Sequence, residues 1–584
     1  MNDVWNLDPI YPDFSSPAFQ ADMEKLEQTA ASFNAFVADL EKQDAVQGLT
    51  GGIALMEQLT QLAMKLITYA QLRQSTNTRD TQAGSRIGQI MQLISATAGA
   101  EAVWKSWAAQ IPNLEQQVES CPELREYAFF FENIRRNSTH LLGSLGEEIM
   151  ARLQMSGGSA WSDLQGYLTS TVPVSWQGGT TNLSAIRNLA YDPDAAVRKA
   201  AYEAELACYE RIQDSVAFAL NSIKLETISD CRLRKYDSPL DRTLEHSNMK
   251  RETLEAMLEA MVEYLPKFRQ YLKAKGKALG HEKGLPWYDL FAPMGCSSKR
   301  YSTEDARCLL VELFAGFDRE LADMVARAFD DAWIDFYPRD GKTGGAFCAG
   351  VECIGESRIL TNFDASFSDV VTLAHELGHA FHNQCIRDHR PLNHDYSMPV
   401  AETASTFNEC VVMAAAIART EDKQEKLALI ESQLQDATQI ICDIYSRFLF
   451  EKMVFEKREA EFMDADALCQ LMLKAQELSY GDGLDAQARH PYMWICKSHY
   501  YGPTFYNFPY AFGGLFARGL YAQYEKEGAS FVPKYKKLLY TTPVATAEDT
   551  ARVADIDLTD KAFWSSALQT IADQIDLFCQ LVEE

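Results

Sequence analysis

The stretch His375-Glu376-Leu377-Gly378-His379 decides how the rest of the chain is interpreted. If residues 370–383 form a helix, the two histidines leave the same face about one turn apart. Two imidazoles placed in this way can bind one zinc ion at roughly 2.0–2.1 Å. Glu376 follows the first histidine and is placed to take a proton from a water molecule on that zinc. The pattern therefore predicts a metallopeptidase centre carried by a helix.

The residues around this motif support a helix. Ser368 and Asp369 offer a start for it, because short polar side chains satisfy the first free backbone N–H groups. Leu373, Leu377 and Ala380 fall on the face opposite the histidines, where we expect them to pack.

A catalytic zinc site needs a third protein ligand beside an open position. The three-histidine class places glycine and histidine three and six residues after the second ligand. The chain has His382 and Cys385 there, so that class is excluded and His382 is predicted to support or pack beside the site. Downstream, Glu402 and Glu409 are seven residues apart on one face of a predicted helix. Either could bind zinc while the other accepts the N–H of a ligand histidine.

The composition is that of a folded globular protein whose net negative charge repels polyanions. Of 584 residues, 47% are hydrophobic and 23% charged, which excludes a disordered or fibrous chain. The net charge of −27 repels nucleic acid and anionic membrane surfaces, so neither is predicted as a partner. No run of eighteen apolar residues occurs, so no membrane span is expected.

The cysteines and the N-terminus point to the cytoplasm. Thirteen cysteines are scattered without a CxxC pair, which is typical of reduced thiols and not of a disulfide framework. Residues 1–19 carry three aspartates and lack both a basic start and an apolar stretch, so no secretory signal is predicted. A cytoplasmic location is the expectation, while the oligomeric state is not predictable.

Apolar residues recur at helical spacing along most of the chain, which predicts a mainly helical fold. The predicted helices cover Phe19–Lys42, Gly52–Gln74, Ser85–Ala109, one long helix from Asp192 to Ser229, Arg251–Leu279 and Thr303–Asp331. Residues 344–351 and 358–363 read as two short strands with a turn at Gly355. A small hairpin is expected near Tyr167–Trp176, and an aromatic, glycine-containing patch interrupts the helices at Met493–Phe516.

Several short sequence motifs lie along most of the chain. They are Trp5-Asn6-Leu7 with Tyr11-Pro12, Tyr236–Asp241, Leu285–Leu290, Gly344–Phe347 and Thr372–His382. Through them the chain resembles the oligoendopeptidase F group of the thimet-type zinc oligopeptidases. The resemblance implies a mainly α, multi-helical, ellipsoidal zinc metallopeptidase with a deep substrate channel and a small β-sheet beside the active-site helix. It also implies one Zn²⁺ per chain.

The resemblance assigns further residues. In that family the third ligand is the first glutamate of Glu-x-x-Ser-x-x-x-Glu, which here is Glu402, with Glu409 as the supporting glutamate. A late aromatic loop holds substrate and stabilises the oxyanion, and the matching residues are His499, Tyr506 and Tyr510. The domains expected are an N-terminal helical region (1–115), an oligopeptidase N-terminal subdomain (116–190) and the catalytic domain (191–584).

The predicted function is hydrolysis of internal bonds in short peptides, with Glu376 as general base. A peptide could add as a strand to the edge near residues 344–351, where main-chain hydrogen bonds give affinity without strong sequence choice. One alternative is a peptide-binding protein without catalysis, which would have no chemical need for the metal-ligand set. Another is a peptidase that trims chain termini, which would need a charged anchor that the sequence does not reveal.

Overall fold

The structure is a computed structural model that describes residues 2–296 and 299–583. The chain forms two compact units, and each is built from three separate stretches. Unit 1 comprises residues 1–139, 299–415 and 523–555. Unit 2 comprises residues 140–298, 416–522 and 556–584.

Most of the described residues are helical, as the periodicity predicts. The α-helices are α1 (Pro17–Ala38), α2 (Ala45–Thr76), α3 (Thr81–Ser95), α4 (Ala98–Ala109), α5 (Leu114–Ser120), α6 (Ala128–Ser138), α7 (Ser144–Ser156), α8 (Gly158–Thr171), α9 (Leu183–Asn188), α10 (Ala195–Tyr209), α11 (Gln213–Leu233), α12 (Pro239–His246), α13 (Arg251–Ala278), α14 (Thr303–Ala315), α15 (Arg319–Asp330), α16 (Phe367–Ile386), α17 (Met398–Ala401), α18 (Thr403–Arg419), α19 (Lys423–Thr438), α20 (Ile444–Arg458), α21 (Ala465–Tyr480), α22 (Met493–Cys496), α23 (Phe508–Glu527), α24 (Val532–Thr541), α25 (Ala547–Arg552) and α26 (Lys561–Glu583). Among the described residues, none of these helices combines the length and apolar character needed to cross a lipid bilayer.

In the described part of the chain, five short strands form two sheets. They are β1 (Val174–Trp176), β2 (Gly179–Thr181), β3 (Ile334–Asp335), β4 (Phe347–Val351) and β5 (Glu356–Leu360). In unit 1 the strand order is β3-β5-β4, with β4 antiparallel to β5 and β3 parallel to it. The predicted turn at Gly355 is confirmed, and its φ of +64° is one that glycine adopts without strain. Strand β4 is therefore an edge strand of this sheet.

Two long predicted helices are each broken in two. The region 85–109 divides between α3 and α4 at Ala96-Thr97. The predicted single helix from Asp192 to Ser229 is also wrong, because α10 ends at Tyr209 and α11 begins at Gln213. No glycine or proline marks this second break. It lets both Tyr209 and Ile212 enter the core of unit 2, so tertiary packing overrides the local pattern.

The region 303–331 and the hairpin region also differ from the prediction. Gly316 and Asp318 separate α14 from α15, and the Asp318 carboxylate caps the second helix. Residues 167–171 continue helix α8, so the hairpin consists only of β1 and β2. Its turn lies at Gln177-Gly178, where both φ angles are positive, as in the turns that suit tight hairpins.

The core of unit 1 positions the sheet beside helix α16. Val351 of β4 and Leu360 of β5 pack into a cluster with aromatic residues of the N-terminal segment, including Tyr11 and Phe19. Helix α16 packs against β4 and β5 as well as against α15 and α24. The predicted arrangement of a small sheet beside the His-Glu-x-x-His helix is thus confirmed.

Unit 2 has its own core. The buried side chains of α10, α11, α20 and α21 form one cluster that includes Trp494, Tyr500 and Tyr501. A five-residue π-helical turn, Gln439–Asp443, joins α19 to α20. Such turns are rare and are often found at functional sites.

Candidate metal centre

Helix α16 begins two residues before the predicted start. Ser366 is its N-cap: its hydroxyl accepts a hydrogen bond from the N–H of Asp369 at 3.2 Å, and the Asp369 carboxylate accepts one from the N–H of Ser366 at 2.9 Å. This reciprocal capping box fixes the helix start. Leu373 and Leu377 are fully buried, so the packing face of the helix is as predicted.

The segment carrying Glu402 approaches α16 closely at one point. Gly378 permits this approach, since a Cβ atom there would lie 2.5 Å from the carbonyl oxygen of Ala404 and 2.5 Å from the Cα of Ser405. Asn408 of α18 holds the two helices together, because its side-chain amide donates to the Ala374 carbonyl at 3.1 Å. Backbone proximity at Gly378 thus brings Glu402 to the histidine face.

His375, His379 and Glu402 converge on one point. The Oε2 of Glu402 lies 3.3 Å from Nε2 of His375 and 3.4 Å from Nε2 of His379. Two ligand atoms bound to zinc at tetrahedral angles with bonds of 2.0–2.1 Å are separated by about 3.4 Å. The three donors therefore fit the dimensions of a zinc site. They are the one such group of histidine, cysteine and carboxylate donors among the described residues.

The two downstream glutamates occupy different positions on His375. Glu409 Oε1 lies 2.5 Å from Nδ1 of that histidine, while Glu402 faces its Nε2. A carboxylate on Nδ1 holds the proton there and leaves the Nε2 lone pair free for a metal. Ser405 orients Glu402 in turn, since its hydroxyl donates to Glu402 Oε2 at 2.8 Å.

The electrostatics of the cluster suit a cation. Burial lowers the pKa of His375, but its contacts with Glu402 and Glu409 together raise that pKa to about 10. Burial raises the pKa of Glu402, yet its contacts with His375 and His379 hold that pKa far below the usual range. In Glu376, which is 6% exposed, burial raises the pKa of the carboxyl. The cluster therefore retains protons that a bound metal would displace.

A cleft within unit 1 exposes these groups beside the sheet edge. Its lining comprises Ala346, Phe347, Cys348, Gly350, His375, Glu376, His379, Asn383, Tyr396 and Glu402. Strand β4 forms one wall and helix α16 the other. An extended chain bound along β4 would consequently pass over the two histidines and Glu376.

His382 packs behind the metal-ligating face. It is fully buried, its Nε2 contacts the Thr542 hydroxyl at 2.8 Å, and its ring stacks on Tyr396 at 4.2 Å. The structure thus places it in the supporting position predicted from sequence. His389 is also structural: its ring stacks on Tyr540 at 4.0 Å and its Nε2 contacts the Tyr540 carbonyl at 2.7 Å.

His499, Tyr506 and Tyr510 form a separate cluster in unit 2. The ring centroid of His499 lies 5.6 Å from that of Tyr506 and 5.8 Å from that of Tyr510, and the centroids of the two tyrosine rings are 5.7 Å apart. They do not all belong to a loop as predicted, because Tyr510 lies in the first turn of α23. The seven predicted site residues are therefore gathered in two groups, each within one unit.

Three further residues of the centre have roles that spacing does not reveal. Ser405 orients Glu402, Asn408 ties α18 to α16, and Tyr396 stacks on His382 and lines the cleft. Ser405 has a signal in the Glu-x-x-Ser pattern. Asn408 and Tyr396 have none, because their partners are defined only once the chain has folded.

Comparison with known proteins agrees with this arrangement. Residues 311–570 match the model of peptidase family M3, and residues 111–172 match the model of Oligopeptidase F. Oligopeptidase PepF of Bacillus subtilis is 23% identical over 591 residues, covering 98% of this chain and 86% of that protein. Group B oligopeptidase PepB of Streptococcus agalactiae is 27% identical over 402 residues, covering 67% of this chain and 66% of that protein.

Solved structures share the fold. A Chlamydophila abortus protein described as a peptidase superimposes with a TM-score of 0.85 at 20% identity, covering 98% of each chain. Oligoendopeptidase-F from Enterococcus faecium superimposes with a TM-score of 0.72 at 17% identity, covering 97% of this chain and 99% of that one.

A helical fold with a His-Glu-x-x-His helix and a glutamate beside both histidines defines a metallopeptidase, an enzyme that hydrolyses peptide bonds with a divalent metal. The two family matches together span more than half of the chain and identify the family within the metallopeptidases. The chain belongs to peptidase family M3, as a member of its oligoendopeptidase F group.

Proposed function

We propose that the chain is a zinc-dependent oligoendopeptidase that cleaves internal bonds of short peptides. His375, His379 and Glu402 hold one zinc ion, and Glu376 is the general base. The observation that carries the proposal is the position of Glu402 Oε2, 3.3 and 3.4 Å from the Nε2 atoms of the two histidines.

The donor set favours zinc over other divalent metals. Two imidazoles and one carboxylate are the ligands of many catalytic zinc sites, whereas magnesium and calcium prefer oxygen donors alone. A zinc ion bound there supplies Lewis acidity, which activates water and polarises the scissile carbonyl. Glu409 fixes the ring of His375 and so keeps the ligand geometry ready for the metal.

Glu376 handles the protons of the reaction. It lines the cleft next to both histidines, and burial raises the pKa of its carboxyl. A carboxylate of raised pKa accepts a proton from the attacking water more readily and then donates it to the leaving amine.

Strand β4 is the proposed binding edge for the peptide. It lies at the edge of the sheet and forms a wall of the cleft. Main-chain hydrogen bonds to such an edge hold many sequences in one extended conformation. This explains how one site could accept diverse short peptides.

His499, Tyr506 and Tyr510 are proposed to hold the substrate and to stabilise the oxyanion. The family resemblance supports these roles, and the three rings form one cluster. Losing one oxyanion donor typically lowers kcat about 10²–10³-fold. Of Tyr506→Phe and Tyr510→Phe, we expect the variant that lacks the oxyanion donor to show such a loss with its metal content unchanged. Full activity in both variants would contradict this assignment.

All seven proposed site residues lie within residues 191–584, which we assign as the catalytic domain, after a helical region (1–115) and a subdomain (116–190). We also assign the protein to the cytoplasm. All thirteen cysteines are free, which agrees with a reducing compartment.

The decisive experiment combines metal analysis with a peptide blocked at both ends. A quenched fluorescent peptide of this kind reports only internal cleavage, so its hydrolysis excludes a terminus-trimming enzyme. We expect one zinc per chain, cleavage by the native protein, and loss of cleavage on chelation with recovery on adding zinc.

The variant Glu376→Gln is the matched control. It keeps the size of the side chain and most of its capacity to form hydrogen bonds but cannot accept the proton. We expect it to retain zinc and its thermal unfolding temperature while kcat falls by about 10²–10⁴-fold. Binding of the peptide without cleavage by the zinc-loaded native protein would instead establish a non-catalytic peptide-binding protein.

A further inference from the structure

The hydrogen bonds of strand β5 show which of its residues face β4. The N–H groups of Ile359 and Thr361 donate to carbonyls on the side of β3, each at 2.9 Å. Backbone groups alternate in direction along a strand, so Arg358 and Leu360 face the other way. These two residues therefore form the hydrogen bonds that join β5 to β4.

The register between the two strands identifies the outward groups of β4. Phe347 and Ala349 lie opposite the two residues of β5 that face them, so both bond to β5. The N–H and C=O groups of Ala346, Cys348 and Gly350 alternate with these and point to the open edge. In the described part of the chain no further strand pairs with that edge. All three residues line the cleft of the metal centre, so an extended peptide there would meet main-chain partners at every second residue.

Ala346 lies at one end of this row, and regular strand pairing does not hold it. The pairing of β4 begins at Phe347. Just before Ala346, Gly345 has a φ of +78°, which departs from the strand conformation. Continuing the register by two residues sets Gly345 opposite Asn362, the second residue after β5. The backbone ladder thus ends one residue short of Ala346.

The Asn362 side chain continues the pairing where the backbone ladder stops. Its amide nitrogen donates to the carbonyl of Gly345 at 2.8 Å and to that of Thr343 at 3.0 Å, so both of its hydrogens are used. The first of these bonds joins two positions that the register sets opposite each other. Ala346 is consequently fixed between this bond and the first regular pair at Phe347.

Both Asn362 and the loop that it binds have further support. The ammonium of Lys342, a residue whose side chain is 0% exposed, donates to the carbonyl of Thr361 at 2.5 Å. Thr361 directly precedes Asn362. On the other side of the loop, the N–H of Thr343 donates at 2.9 Å to the carbonyl of Ser75 near the end of α2. The position of the asparagine amide is therefore set by buried neighbours.

We propose that Asn362 is a positioning residue for the peptide substrate: its side-chain amide holds Ala346 so that the N–H and C=O groups of this alanine bind the main chain of the peptide. The inference rests on the proposed function, because it takes the edge of β4 as the binding edge. Asn362 is not among the described residues that line the cleft, so it acts through Ala346 and not by contact with the peptide.

The test measures peptide binding by the full-length Glu376→Gln variant, which leaves the peptide intact. The ligand is a short fluorescent peptide blocked at both ends, compared with a series in which one backbone N–H at a time is N-methylated. An edge that binds every second residue predicts penalties at alternate positions, each of about 2–10-fold in Kd.

Adding Asn362→Ala should remove the penalty at one end of this alternating series, at the position that faces Ala346. The penalties at the positions that face Cys348 and Gly350 should remain. Two changes that act on the same contact are not additive, whereas changes at independent contacts add. A bond that only stabilised the loop would alter thermal unfolding and leave every penalty in place.

Asn393→Ala is the matched control. Asn393 is a buried asparagine of the same unit, and its amide likewise donates to a backbone carbonyl, that of Glu126 at 2.9 Å. This variant should keep every N-methyl penalty even where it unfolds at a lower temperature.

The outcomes separate this inference from the proposed function, because Kd does not depend on hydrolysis. A native protein that binds the peptide without cleaving it would refute the proposed function and leave the positioning role of Asn362 supported by the binding series. Penalties in Asn362→Ala that equal those of its parent at all positions would overturn the inference, even if the native protein were fully active.

Discussion

His375 is held at both of its ring nitrogens. Glu409 lies 2.5 Å from Nδ1, and Glu402 lies 3.3 Å from Nε2. We therefore propose different roles for the two carboxylates: Glu402 would supply a donor atom to the metal, and Glu409 would fix the orientation and tautomer of the ring.

Substitution of these two glutamates should separate the two roles. We expect Glu402→Ala to lose stoichiometric zinc, whereas Glu409→Gln should bind zinc about 10–100-fold more weakly. Both are measured by metal analysis and by competition with a chromogenic chelator. Glu304→Ala, which removes an exposed glutamate of α14, is the control. Undiminished zinc in Glu402→Ala would make Glu409 the third ligand.

His382 should make stability depend on pH. Burial lowers its pKa to about 3, compared with 6.5 for an exposed histidine. Between these values the unfolded chain binds more protons, so stability falls as the pH drops below 6.5, by up to about 1.4 kcal/mol per pH unit. His382→Gln should reduce this fall, measured as urea unfolding between about pH 5 and pH 7.

The comparison for His382→Gln is His246→Gln, which replaces an exposed histidine in α12. We expect this control to keep the pH dependence of the native protein. An unchanged dependence in His382→Gln would mean that other groups cause the acid sensitivity.

Part of the site follows from sequence at this scale. The spacing of His375 and His379 fixes them on one helical face, so the pair is predictable. The choice between Glu402 and Glu409 does not follow from spacing, because the chain turns at Glu402 between α17 and α18. The partner of His382, Thr542, is 160 residues away and has no local signal.

At the scale of elements, the site depends on how closely α16 and the start of α18 approach each other. The approach occurs at Gly378, between the two histidines. Helix existence could be predicted from periodicity, but the breaks in residues 85–109 and 192–229 could not, since the apolar pattern continues through them. Strands β4 and β5 were predictable because glycines precede them and they contain β-branched residues. Strand β3 has only two residues, so it has no pattern to detect.

Replacing Gly378 should disturb the metal centre without touching a ligand. In Gly378→Ala the new methyl group would meet the backbone of Ala404 and Ser405 at 2.5 Å, so the two segments must separate. We expect a loss of about 1–3 kcal/mol in stability, together with weaker zinc binding. Thermal unfolding and chelator competition measure the two effects.

Gly88→Ala is the control for this change. Gly88 lies inside helix α3, and a Cβ atom there would meet nothing within 4 Å. Alanine should stabilise that helix by about 0.5–1 kcal/mol and leave zinc affinity unchanged. If Gly378→Ala behaved like Gly88→Ala, the close approach would not matter for the metal centre.

At the scale of the whole molecule, the net charge of −27 acts on every approaching peptide. A field of this sign speeds the encounter with cationic peptides and slows that with anionic ones. Dissolved salt weakens the effect, because the Debye length shortens to about 8 Å at physiological ionic strength.

Charge should therefore bias substrate choice in a salt-dependent manner. For two blocked peptides that differ only in lysine or glutamate flanks, we expect the ratio of their kcat/KM values to favour lysine and to fall as ionic strength rises. Sodium chloride should set the ionic strength, and a peptide with uncharged flanks is the reference. A ratio independent of salt would place the preference in local contacts.

The division of each unit into three stretches of chain has a consequence for biosynthesis. Unit 1 is complete only when residues 523–555 have been made, and unit 2 only with residues 556–584. Translation proceeds from the N-terminus, so neither unit can finish folding before its last stretch has been made. Until then, the nascent chain exposes apolar surfaces that belong inside a core and that chaperones recognise. Proteolytic activity is consequently delayed until residues 523–584 have been added to the nascent chain.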